Sequence, residues 1–250
     1  MKLLLERWHQ YLAEEKLLSE LDSLSNIVGG LLLEGKVSDA KEKFNQQLSG
    51  VLLKGVNWDE LFKTLKIMPK GKQAHSMRVG GHAAAAGASA DEVIGALMHD
   101  YVERGGDIDK LVASGLITQV QKDIILALSS SEEDVAAYAG DNEPLHHMQQ
   151  VFADMENDGL KNTLAMVKAG DRVDNLNRRV WDPERKGAVT KKKYLKKSAD
   201  LFNFLRQSVS DKTKVDAVIN RLEPEAKQAL YNFAPQVFAE LGWGSRAAAA

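Results

Sequence analysis

The chain of 250 residues has no cysteine. That excludes a disulfide framework and any thiolate-held metal, so a metal here would rest on histidine and carboxylate. Proline is scarce, at 5 residues, which leaves long stretches free to run as helix. No apolar run approaches the roughly 18 residues of a membrane-crossing helix. The opening MKLLLERWHQYLAEEK has only Leu3, Leu4 and Leu5 in succession before charge returns, which does not fit a secretory leader. The expectation is a cytoplasmic protein with no membrane partner. Excess charge of one sign is also missing: 33 Lys and Arg face 35 Asp and Glu, a net charge of −2. No global field then points to nucleic acid as a partner.

What the chain does have is helical periodicity and a hydrophobic share of 44%, enough for a sizeable core. Leucine recurs at 3, 4, 5, 12, 17, 18, 21 and 24 as a helical stripe. Ser38-Asp39 and Asn57-Trp58-Asp59 open two more helices. Ser89-x-x-Glu92 has the form of a capping box and starts a helix carrying His99 and Asp100 near its end, with Gly105-Gly106 as the stop. Helices are predicted over 118–128, 144–154, 160–179, 190–208, 212–222 and after Pro224, with loops at 26–36, 104–107, 139–144 and 182–190. No alternating strand pattern stands out. The fold class is all-α: an N-terminal helical extension over 1–55, a main domain over 56–210, and C-terminal helices over 211–243 packed on the same domain.

One stretch concentrates chemistry. In DEVIGALMHDYVERGGD an apolar helix runs into His99-Asp100 and then Glu103. Successive helix residues stand about 100° apart, so neighbours His99 and Asp100 share one ion only near a helix end. His75 lies 24 residues before His99, and Asp171 sits on a later helix in MVKAGDRVDNLNRR. Two histidines and two aspartates from three helices suit a divalent transition ion such as Mn²⁺, Fe²⁺, Zn²⁺ or Ni²⁺. Glu103, four residues after His99, falls on the same helix face and is placed to act as a general base. Arg78, Lys168, Arg172, Arg178 and Arg179 supply cations for phosphate, and KKKYLKK at 191–197 keeps the following region basic.

The H–HD–D pattern of His75, His99-Asp100 and Asp171 resembles the HD superfamily of metal-dependent phosphohydrolases. MHDYVE is similar to the LHD-V-E-D segment of RelA/SpoT-type alarmone hydrolases, and VKAGDRVDNLNR to their K-AD-hydrophobic-x-N-x-R segment. The resemblance spans roughly residues 60–210. It implies an HD-domain helical bundle in which His75, His99, Asp100 and Asp171 hold one Mn²⁺. Asp100 and Glu103 would carry the chemistry, with Glu103 orienting or deprotonating the attacking water. Asn175 would contact a nucleotide substrate, with Lys168, Arg172 and Arg178 near its phosphates. The implied reaction removes the 3′-pyrophosphate from guanosine tetra- or pentaphosphate. Two departures stand out. Arg104 occupies a position where the family has Asp, which implies either weakened water activation or another phosphate substrate. KIMPKGKQAH lacks the family's Arg-Lys pair and Tyr before the first histidine.

Each residue also has a plainer reading. A lone His75 would be a satisfied core histidine, and His99-Asp100 a decorated helix end. His82 shares a face with His75. His146-His147 is either a second-metal pair, as in some HD proteins, or solvated. Asp174 and Asn175 could be surface polar residues, the 191–197 lysines a solvated face, and Trp8, Trp58, Trp181 and Trp243 core or interface anchors.

Overall fold

The structure is a computed structural model that describes residues 72–130, 136–138, 141–178, 188–241 and 243. The expected extension over 1–55, the KIMPKGK stretch up to Gly71, Arg179 and Trp181 lie outside the described residues. Among the described residues every regular element is helical and there is no strand, so the all-α expectation holds. The helices are α1 (Lys72–Ala85), α2 (Ala90–Met98), α3 (Ile108–Ala113), α4 (Gln119–Leu128), α5 (Glu143–Ala153), α6 (Asp158–Asn177), α7 (Ala188–Ser208), α8 (Thr213–Ile219), α9 (Pro224–Phe233) and α10 (Pro235–Phe238). Short 3₁₀ turns cover Val102–Arg104 and Ala239–Leu241.

α6 is the axis. It has 20 residues, hence a length of roughly 30 Å, and it packs against α1, α2, α4, α7 and α8. Leu164, Ala165, Met166, Ala169, Val173 and Leu176 are fully buried along it. Around them close Leu97 and Met98 of α2, Ile125 of α4, Phe202 and Leu205 of α7, and Val215 and Val218 of α8. Burying each such side chain is worth about 1.5–3 kcal/mol.

Local chemistry fixes the helix starts. The capping box forms: Ser89 Oγ accepts from Glu92 N–H, and Glu92 Oε2 accepts from Ser89 N–H at 2.6 Å. Thr118 and Gln121 form a second capping box at the head of α4. Asp107 caps α3 and Asn157 caps α6 through their side chains. Glu92 also receives Lys214 Nζ at 2.7 Å and Thr163 Oγ1 at 3.0 Å, which ties α2 to α6 and α8.

α1 and α2 approach closely because position 80 has no side chain. A Cβ on Gly80 would lie 2.6 Å from Leu97 Cδ2. This close crossing brings His75 and His99 together. Their ring centroids are 5.1 Å apart in an edge-on arrangement.

Candidate metal and substrate site

The end of α2 differs from its expected form. The helix stops at Met98, with His99 as its C-cap, before the glycines are reached. Tyr101 N–H donates to Met98 O at 2.8 Å, and Gly105 N–H donates to Val102 O at 2.9 Å, so the chain tightens into i→i+3 turns. Gly105 then reverses it in the left-handed region, with φ 81°. This turn, rather than one helix face, presents His99, Asp100, Glu103 and Arg104 to a common cleft.

The histidines are oriented by their outer nitrogens. His99 Nδ1 lies 2.8 Å from Ala96 O. A carbonyl only accepts, so Nδ1 carries a proton, which in the neutral ring leaves the lone pair on Nε2. That Nε2 is buried, has no hydrogen-bond partner among the described residues, and faces Asp100 Oδ1 at 3.1 Å and Asp171 Oδ1 at 4.0 Å. A ring nitrogen turned toward two carboxylates calls for positive charge there, whether a ring proton or a cation.

His75 Nδ1 donates to Asp174 Oδ2 at 2.7 Å, and its Nε2 lies 3.2 Å from Asp171 Oδ1. Burial lowers its pKa, but hydrogen bonds to Asp171 and Asp174 outweigh this and raise it to about 9. Burial pushes Asp171 up, yet the His75 hydrogen bond and the charge of Lys168 hold it well below the usual carboxylate range. Ligand atoms of His75, His99 and Asp171 all lie within 4.8 Å of one another, a group that could hold a metal ion. Asp100 stands beside them through His99. Metal-ligating histidine is usually supported by a carboxylate or a carbonyl on the far nitrogen, as both rings are here, and a bound cation would take the place of the proton between His75 Nε2 and Asp171. The residues therefore fit a divalent cation.

Asp174 is the residue that sequence reasoning undervalued. It is 2% exposed, not a surface polar residue, and Arg78 grips it from below: Nε bonds Oδ1, and Nη2 donates to Oδ2 at 3.2 Å. Arg78 is therefore committed to Asp174 rather than to phosphate. The signal was present in the spacing, because Asp174 follows Asp171 by three and Arg78 follows His75 by three, each on one helix face. Asn175 Nδ2 donates to Asp171 Oδ1 at 2.7 Å and to Asp171 O at 2.9 Å, so it steadies Asp171 as well as lining the cleft.

The cleft has a volume of about 250 Å³ and includes His99, Asp100, Glu103, Arg104, Lys168, Asp171, Arg172 and Asn175 in its lining. Glu103 Oε1 accepts from Ser130 N–H at 3.0 Å. Ser130 Oγ donates to Glu143 Oε1 at 2.5 Å, and Glu143 is the fourth acid of the lining. Arg104 Nη2 is 3.7 Å from Asp100 Oδ2. Arg178 is exposed at the end of α6 and is not in the lining. It follows Asp171 by two helical turns, roughly 10 Å along the axis.

The other described histidines stay outside the cluster. His82 is buried, and its Nδ1 accepts from Arg221 Nε at 3.3 Å. His147 is buried rather than solvated, with Nε2 3.1 Å from Ala127 O. His146 pairs with Asp141 at 3.0 Å and stacks on Tyr138.

Fold and site together define a class by geometry: an all-α protein that brings two histidines and at least one aspartate, from three helices, to one buried point. The chain matches no family model, no curated protein and no solved structure. No described helix is long and apolar enough to cross a membrane.

Proposed function

We propose that the protein is a metal-dependent phosphohydrolase of the HD type acting on a phosphorylated nucleotide, and that it removes the 3′-pyrophosphate of guanosine tetra- or pentaphosphate. The observation that carries the proposal is the buried His99 Nε2, turned toward Asp100 and Asp171 with no hydrogen-bond partner among the described residues. His75, His99, Asp100 and Asp171 would hold the ion, and this mixture of imidazole and carboxylate suits Mn²⁺. When bound, such an ion lowers the pKa of water and neutralises charge on a phosphoryl oxygen. Glu103, with Oε1 fixed by Ser130 N–H, takes the proton of the attacking water on its other carboxylate oxygen. Asn175 keeps Asp171 Oδ1 in place.

Arg104, beside Asp100 where the resembled family carries a second acid, favours one other reading: a nucleotidase or nucleoside triphosphate hydrolase on the same scaffold. A nucleotide-binding protein without turnover is the contrasting class. A screen of nucleotides with Mn²⁺, scored for released phosphate and pyrophosphate, separates the three. Pyrophosphate from guanosine tetraphosphate supports the proposal, orthophosphate from mono- or triphosphates moves it to the rival hydrolase, and no turnover with any nucleotide leaves the scaffold. Glu103→Gln should keep Mn²⁺ bound and slow turnover by about 10² to 10⁴, the usual contribution of a general base. Turnover at the parent rate would remove Glu103 from this role.

A further inference from the structure

We propose that Ser130 and Glu143 are positioning residues for Glu103, a role that rests on the phosphohydrolase reading. Glu103 is exposed on a short 3₁₀ turn, so packing does not hold its long side chain. Its Oε1 accepts from Ser130 N–H at 3.0 Å. That N–H is available because α4 has ended. Ser129 is the C-cap; its N–H donates to Leu126 O at 3.1 Å, and its hydroxyl donates to Ile125 O at 2.9 Å. Ser130 lies one residue beyond this anchored turn, and its Oγ donates to Glu143 Oε1 at 2.5 Å. A hydrogen bond to a carboxylate is roughly twice as strong as a neutral one. It sets the direction in which the backbone N–H of residue 130 points.

Glu143 can serve as an anchor because α5 is tied down on two sides. Glu143 is the first residue of that helix, where the helix dipole suits a carboxylate. Just before it, Asn142 Nδ2 donates to Lys197 O of α7 at 2.9 Å. One turn after Glu143, on the same helix face, the buried His147 donates from Nε2 to Ala127 O in the last turn of α4 at 3.1 Å. α5 thus grips the end of α4 at two points, and Ser130 passes that grip to Glu103. Glu103, Ser130 and Glu143 all line the cleft. A general base must meet its water within hydrogen-bond reach, and a displacement of about 1 Å can cost a factor of roughly 10² in rate. The pair therefore acts on the chemical step through Glu103, and not on the ion or on substrate affinity.

The test measures kcat and KM of the Mn²⁺-loaded full chain on the nucleotide that the parent protein hydrolyses fastest, guanosine tetraphosphate on the present reading. Ser130→Ala and Glu143→Ala should each lower kcat about 10- to 100-fold, with KM and Mn²⁺ affinity as in the parent. Glu143→Gln keeps an acceptor for Ser130 Oγ and should recover most of the loss. In the Glu103→Gln background neither alanine should lower kcat further, because residues that act as a unit are not additive; a general structural defect would add in both backgrounds. In the metal-free protein, the backbone amide of residue 130 should exchange its hydrogen several-fold faster in Glu143→Ala. Circular dichroism checks folding, and if one alanine variant does not fold, the other decides. Parent-like kcat in the folded alanine variants overturns the role. So does an undiminished loss in the Glu103→Gln background, a Glu143→Gln variant as slow as Glu143→Ala, or unchanged exchange at residue 130. Each of these removes the positioning role alone from an active hydrolase, whereas no turnover of any nucleotide by the parent protein sinks the hydrolase reading and takes this role with it.

Discussion

At His75 two carboxylates share one ring, and the side chain behind the ring decides what the front can do. Asp174, held by Arg78, fixes the Nδ1 proton and so turns Nε2 toward Asp171. Asp174→Asn keeps an oxygen to accept from Nδ1 but removes the charge that raises ligand basicity. Mn²⁺ affinity should fall about 10- to 100-fold, the usual effect of altering such a support, with the helical signal unchanged. Asp174→Glu should recover part of the loss, which a purely structural role would not explain. Unchanged affinity in a Mn²⁺ titration of Asp174→Asn would remove this residue from the site. The candidate ligands were legible in the sequence as His75, His99-Asp100 and Asp171, because imidazole and carboxylate are sparse on otherwise apolar stripes. Asp174 and Arg78 were not, since a charged residue at helical spacing reads equally as solvated surface until the partner helix is in place.

Among the elements, starts were easier to read than stops. Ser89 and Thr118 announce α2 and α4 because capping is local chemistry within four residues. The end of α2 was expected at Gly105-Gly106, yet it falls at Met98, where i→i+3 bonds take over. Only contacts distant in sequence make that early turn worthwhile. Gly80 is a similar case: in sequence it weakens a helix, and in the fold it admits Leu97. Gly80→Ala would place a Cβ 2.6 Å from Leu97 Cδ2. Overpacking of this kind costs about 1–3 kcal/mol, and it pushes α1 from α2. Urea denaturation should show that loss, and Mn²⁺ should bind more weakly because His75 and His99 ride on the separated helices. Full stability with weakened metal binding would refute the packing argument, and the reverse would show that the crossing does not set the site.

Across the molecule, polar contacts tie the elements around α6 to one another. Arg206 on α7 donates to Asp216 on α8 at 2.6 Å and to Glu240 in the last 3₁₀ turn at 3.2 Å. Arg221, just after α8, reaches back to His82 on α1. His82 makes this last contact sensitive to acid. Burial, and then the charge of Arg221, lower its pKa from 6.5 to about 3, with Arg78 and His75 adding to the effect and Asp174 opposing it. The unfolded chain therefore binds a proton at this residue below about pH 6.5, while the folded chain does so only near pH 3. Between those values the unfolded state holds more protons, so the stability due to neutral His82 is complete above pH 6.5 and is lost as pH falls. His82→Gln retains an acceptor for Arg221 Nε but cannot titrate. Glu92, whose pKa is also lowered, destabilises both proteins alike in acid and cancels in the comparison. In chelator, the denaturation midpoint of the parent protein should drop more steeply from pH 6.5 to pH 4 than that of His82→Gln, so the two curves converge in acid. Parallel curves over that interval would mean that His82 is protonated in the fold, with Arg221 no longer its donor.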